Sequence, residues 1–112
     1  MILLQLWARA FVITLCIESL VAIPLLRREG TLARVALAVA FAQVLTHPAV
    51  WFIFTLFEWP RPLYLLVAES WALFGELCFY RFAFERLSLT RAFGVSALAN
   101  GASYLAGSLL LK

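Results

Sequence analysis

Long apolar runs, each ended by a short polar connection, follow one another four times along this chain. They cover about residues 2–26, 33–57, 63–84 and 92–111. Each is of the length, about 20–25 residues, that crosses roughly 30 Å of hydrocarbon as a helix. The connections read RREGT, EWPRP and RFAFERLSLT. Gly30 breaks the first run and Thr31 stands where the second helix needs a cap. Pro60 and Pro62 forbid a continuous helix through the second connection, where Trp59 lies at interface depth. Ser88 or Thr90 caps the last run. The pattern predicts an all-α fold: a four-helix transmembrane bundle forming one domain over residues 1–112.

Composition agrees with a chain that has lipid as its outer solvent. Of 112 residues, 65% are hydrophobic and 13% charged, whereas a soluble domain carries about 25% charged residues. The first run lacks a basic start and a small-residue cleavage site, and Glu18 interrupts it, so it reads as a retained span. Cys16 and Cys78 fall within spans and read as small apolar packing residues.

Charge then orients the chain. Arg27, Arg28 and Arg34 flank the first connection, and Arg81, Arg86 and Arg91 surround the third. Arg9, Arg61 and Lys112 belong to the other side. By the positive-inside rule, connections one and three are cytoplasmic and both termini lie outside. The formal net charge of +3 is a topology signal; with no groove-reading element, no nucleic-acid partner is expected.

Against this background the polar residues inside the spans stand out. Glu18 lies near the middle of span one, Thr46 and His47 near the middle of span two, Glu69 and Glu76 about the middle of span three, and Asn100 at the middle of span four. One shared level suggests one cluster. Helical spacing supports this: Leu65, Glu69, Ala72, Glu76 and Tyr80 share a face, with the two carboxyls two turns apart. Ala33, Ala36, Ala40, Gln43 and His47 make a small and polar stripe in span two. Ala92, Ser96, Ala99, Ser103 and Gly107 do the same in span four, beside Asn100. Such stripes let helix backbones approach closely in lipid.

Energy sets the direction these groups face. A charged side chain at the centre of a span costs about 2.5–3.5 kcal/mol on the insertion scale. Three glutamates are therefore expected to turn inward, where they protonate, pair with His47, or accept hydrogen bonds from Asn100, Ser103, Thr46 or Tyr80. Removal from water disfavours the charged form, so at least one of Glu69 and Glu76 is expected to be neutral at pH 7. Pro48 deprives the carbonyl of Val44 of its helical partner and bends span two, adding an acceptor beside His47.

Plainer readings exist for most of these residues. His47 alone reads as a hydrogen-bonded packing residue, Pro48 as a simple kink, and Gln43, Thr46 and Asn100 as interhelical hydrogen-bonding groups. Arg9 and Arg81 snorkel to the interface, and Glu29, Glu58 and Glu85 read as solvated loop charges. The intramembrane carboxyls resist such a reading, because an ionisable residue inside a span is a functional-site hypothesis by default. A Glu/His metal ion is chemically possible, yet no His-Glu-x-x-His, paired Asp, Gly-x-Ser-x-Gly or Glu-x-x-His pattern occurs. An enzyme is thus the lesser expectation, and no cofactor is expected.

Length, four spans and Glu18 resemble the small multidrug resistance exporters, which exchange protons for cationic drugs as antiparallel dimers. The two glutamates of span three, the LTHPAVWF stretch and the marked charge bias depart from that pattern. LTHP in span two, Glu69, Glu76 and Tyr80 in span three, and NGASYLAG in span four more closely resemble a group of small four-span bacterial membrane proteins. That resemblance implies a bacterial inner-membrane location and no particular activity.

Together these observations predict proton or cation handling. Glu18, Glu69 and Glu76 bind the ion, His47 shares the proton, and Gln43, Thr46, Pro48, Tyr80, Asn100 and Ser103 support them. The chain is too small to enclose a large pathway alone, so a homo-oligomer or a partner membrane subunit is expected besides the lipid bilayer. The rival expectation is a non-catalytic subunit or assembly factor whose polar residues specify helix pairing.

Overall fold

A computed structural model describes residues 2–110. The predicted end of span four at Leu111, and Lys112, lie outside the described residues. Four helices follow in order: α1 over Ile2–Leu26, α2 over Leu32–Phe52, α3 over Arg61–Ala83 and α4 over Leu89–Leu110. Short 3-10 turns, Arg27–Glu29 and Phe54–Phe57, follow α1 and α2. The chain is thus an all-α four-helix bundle. Among the described residues, three helices are long and apolar enough to cross a membrane. The fourth, α4, is of similar length but carries Ser96, Asn100, Ser103 and Ser108. The protein is a small membrane-spanning protein.

Local chemistry ends the helices where the sequence indicates. Thr31 caps α2 by accepting the Arg34 amide at 3.2 Å. Of the two candidate caps for α4, Ser88 serves: its hydroxyl accepts the Arg91 amide at 3.1 Å. Pro60 precedes α3 and Pro62 sits in its first turn, where a missing amide hydrogen costs nothing. Glu58 reverses the chain before it with φ 54°, a conformation uncommon for a residue bearing a Cβ.

The helices close a square in which α1 packs on α2 and α4, and α3 packs on α2 and α4. The long axis of the molecule measures 39 Å. The apolar core fills the half nearest loops one and three, with Leu26, Val35, Val39, Tyr80, Phe84, Leu87 and Ala92 all buried. Arginines fasten that end. Arg34 donates to the Ala83 carbonyl at 2.9 Å. Arg91 donates to the Leu25 carbonyl at 3.0 Å and pairs with Glu29 at 3.3 Å. Glu29 is therefore a paired, nearly buried group and not the solvated loop charge expected.

Two packing expectations change. The inward face of α2 is Val35, Ala38, Val39, Ala42, Gln43 and Thr46, while Ala33 is exposed and Ala36, Ala40 and His47 are half-buried. The face is rotated by about one residue from the expected stripe, because valines at 35 and 39 bury more apolar surface than alanines at 36 and 40. Cys16 and Cys78 are exposed on the outer surface; thiols are apolar enough to sit among the leucines and phenylalanines there. In α4 the expected stripe holds, with Ala92, Ser96, Ala99 and Asn100 buried.

Candidate functional site

Above the apolar core, polar side chains from all four helices converge. Glu18 of α1 is 1% exposed although it is a carboxyl. Its position follows from spacing: Ala10, Glu18, Ala22 and Leu26 form the buried face of α1. Gln43 of α2 donates to Glu18 Oε1 at 2.6 Å, and Ser103 of α4 donates to Oε2 at 3.1 Å. Both oxygens of Glu18 therefore meet a side chain from another helix within hydrogen-bond distance.

Glu76 of α3 differs. It is fully buried, and neither of its oxygens has a hydrogen-bond partner. Glu18, Gln43 and Asn100 are the polar side chains around its carboxyl. Asn100 spends its amide hydrogens within α4, donating to the Ser96 carbonyl at 2.8 Å and the Ser96 hydroxyl at 3.2 Å. Ser96 in turn donates to the Leu73 carbonyl at 2.8 Å, which fixes α4 to α3. One turn further along α3, the buried hydroxyl of Tyr80 is also without a partner.

These groups surround a cavity of about 150 Å³ whose lining includes Thr14, Glu18, Gln43, Thr46, His47, Glu69, Glu76, Asn100, Ser103 and Tyr104. The cavity shares Val50, Trp51, Ala68, Glu69, Ser103 and Tyr104 with a groove of about 430 Å³ that reaches Arg61 and Tyr64. That groove shares Trp51, Arg61 and Tyr64 with an open recess of about 610 Å³ at the loop-two end, between Leu3, Phe54, Glu58 and Trp59. The three spaces thus adjoin one another from the carboxyls toward loop two, while the apolar core lies on the other side of the carboxyls.

Two of the expected ion-binding residues stand elsewhere than anticipated. Glu69 lines the cavity but is exposed: it sits at the mouth, not in the interior with Glu18 and Glu76. Along the face they share, α3 passes from groove to core within the two turns between the carboxyls. His47 also lines the cavity, yet its hydrogen-bond partner is Trp7, whose indole donates to Nδ1 at 3.1 Å, and not a glutamate. Phe11 and Trp51 pack on the imidazole, with ring centroids 5.5 and 6.5 Å away. Accepting at Nδ1 leaves the imidazole hydrogen on Nε2.

The region around Pro48 is held from α3. Trp71 donates to the Thr46 carbonyl at 3.1 Å, and Tyr64 donates to the Val50 carbonyl at 2.9 Å. The side-chain donor from α3 therefore reaches Thr46 and not Val44. Thr46 itself is buried, its hydroxyl donating to the Ala42 carbonyl at 3.0 Å. Gly75 permits this closeness, since a Cβ there would stand 2.9 Å from the Thr46 methyl.

Sequence reasoning missed Trp7, Trp71, Gly75 and Tyr104. One signal was available: Trp7, Phe11, Thr14 and Glu18 recur at helical spacing on one face of α1. Among the described residues no group of three or more His, Cys, Asp or Glu side chains is placed to hold a metal ion. No family model, curated protein or solved structure matches the chain.

Proposed function

We propose that this membrane protein binds a proton or a cation at Glu18 and Glu76 and moves it between the bilayer interior and the loop-two side, coupled to transport. The observation that carries this reading is the contrast between the two carboxyls. Glu18 is satisfied by two donors, whereas Glu76 is fully buried with none. A carboxyl serving only to pair helices would be hydrogen-bonded, as Glu18 is. An ionised carboxylate left bare in a low-dielectric interior costs several kcal/mol, so Glu76 is stable only with a proton or a cation. The adjoining groove, which reaches Arg61, supports access from that side.

The six arginines flanking loops one and three support an orientation with those loops cytoplasmic and both termini outside. The likeness to small four-span bacterial proteins supports a bacterial inner membrane. The test is flux in proteoliposomes. Glu76→Gln and Glu18→Gln abolish proton-coupled flux if the reading holds; unchanged flux in both removes it.

One observation favours assembly with further helices. Glu69 is exposed at mid-depth on α3, and a charge turned to lipid there costs about 2.5–3.5 kcal/mol. A second copy of the chain, or a partner subunit, relieves that cost by covering it. A stoichiometric partner that copurifies with the natural chain and is lost on Glu69→Leu supports the subunit reading.

A further inference from the structure

The recess at the loop-two end contains none of the three intramembrane carboxyls, yet its lining is that of a ligand site. We propose that it binds the headgroup of a zwitterionic phospholipid, one that carries an ammonium and a phosphate together. The proposal is independent of the ion-handling reading, whose carboxyls line other spaces.

The volume of the recess, about 610 Å³, falls in the range of about 300–1,000 Å³ usual for small-molecule sites. Trp51, Phe54, Trp59 and Tyr64 supply aromatic walls, and Glu58 and Arg61 supply one charge of each sign. The walls are fixed before any ligand arrives. Tyr64 is anchored by its hydroxyl on the Val50 carbonyl at 2.9 Å. Trp59 stacks on Phe57 with ring centroids 4.8 Å apart, and Phe54 stands edge-on to Trp71 at 5.8 Å.

The two charges decide the class of ligand. Glu58 and Arg61 line one recess but do not pair with each other: among the described residues the one ion pair is Arg91 with Glu29. Each charge is left for something else to meet. The Arg61 guanidinium suits a phosphate, whose oxygens it takes two at a time. An ammonium suits Glu58 together with the faces of tryptophan and tyrosine rings. One ligand with both groups satisfies the recess without adding net charge. A plain anion leaves Glu58 unmet, and a plain cation leaves Arg61 unmet. Glu58 is also the residue held at φ 54°, and strain of that kind gathers at ligand clamps.

The surroundings decide the source. Leu3 lines the recess, and Ile53, Leu56 and Phe57 adjoin its lining residues in the chain; all four are more than half exposed. Such a rim suits acyl chains and offers nothing to a free, water-soluble zwitterion. Trp59 marks interface depth, where phospholipid headgroups lie.

The test is native mass spectrometry of the purified full-length chain, stripped of lipid and titrated in detergent with dioleoyl phosphatidylethanolamine or dioleoyl phosphatidylglycerol. The second lipid has the phosphate and the chains but no ammonium. The expected result is one phosphatidylethanolamine per chain, held about tenfold more tightly than phosphatidylglycerol. This comparison needs only the natural chain, so it survives a variant that fails to fold. Arg61→Gln weakens binding of both lipids about tenfold, and Glu58→Gln abolishes the preference between them. Arg86→Gln, at the opposite end of the bundle, changes neither. Equal binding of the two lipids by the natural chain overturns the proposal, as does binding untouched by Arg61→Gln and Glu58→Gln. An equal loss in Arg86→Gln overturns it too, as does competition at equal concentration by tetraphenylphosphonium, a cation without phosphate. Competition by free phosphoethanolamine at the lipid's own concentration overturns the lipid assignment and places the ligand in water.

Discussion

Gln43 of α2 donates to Glu18 of α1 across 2.6 Å, between side chains that are each 1% exposed. A glutamine is among the few residues that can reach a buried carboxylate and still offer a hydrogen without bringing a charge of its own. Gln43→Leu keeps the volume and removes the donor. Leaving one oxygen of Glu18 unsatisfied is expected to lower stability by about 1–3 kcal/mol, read as a lower midpoint in detergent unfolding. Gln43→Asn, one methylene short, falls between the two.

Gly75 marks the closest approach of α3 to α2. Its missing Cβ would meet the Thr46 methyl at 2.9 Å, and Thr46 is held by its hydroxyl on the Ala42 carbonyl. Gly75→Ala is expected to destabilise by about 1–3 kcal/mol through overpacking, and Thr46→Ser, which removes the methyl, relieves part of that in the double variant. Gly94 and Gly101 of α4 face open space. Alanine at either leaves the fold intact and gains up to about 1 kcal/mol from helix propensity. Thermal unfolding of the four variants checks the contrast.

Trp7 fixes the ring of His47. Trp7→Phe keeps much of the aromatic packing on Phe11 and Phe52 but removes the donor to Nδ1. The expected cost is about 0.5–1.5 kcal/mol. Nitrogen NMR of the labelled imidazole is expected to report hydrogen on Nε2 in the natural chain and a mixture of tautomers in Trp7→Phe.

Orientation is tested by cysteine accessibility after Cys16 and Cys78 are replaced by alanine. A cysteine at Glu58 is expected to react with a membrane-impermeant maleimide in intact cells. One at Glu85 is expected to react only after the membrane is opened. The reverse pattern inverts the proposed topology.

The sequence made the helices legible because apolar runs of membrane length, broken by Gly30, Pro60 and Pro62, admit few other folds. It made the carboxyl level legible because each helix advances by a fixed rise. Rotation was harder. In α2 nearly every position is apolar, so the stripe of alanines at 36 and 40 competed with the valines at 35 and 39, and bulk decided. Glu69 and Glu76 share a helical face by spacing alone. That one is exposed at the cavity mouth and the other fully buried depends on how the neighbouring helices pack, which no local pattern encodes. The pairing of Glu29 with Arg91 likewise needed the ends of α1 and α4 brought together, and the partner of His47 needed the indole of Trp7.

The account stands on Glu18 and Glu76 meeting inside the bundle from α1 and α3. A double-mutant cycle on folding stability in detergent, with Glu18→Gln, Glu76→Gln and the pair, measures that meeting directly. The predicted result is a coupling energy of about 0.5–3 kcal/mol, as found for residues in contact. Effects that add to within about 0.3–0.5 kcal/mol would place the two carboxyls in separate surroundings and contradict it.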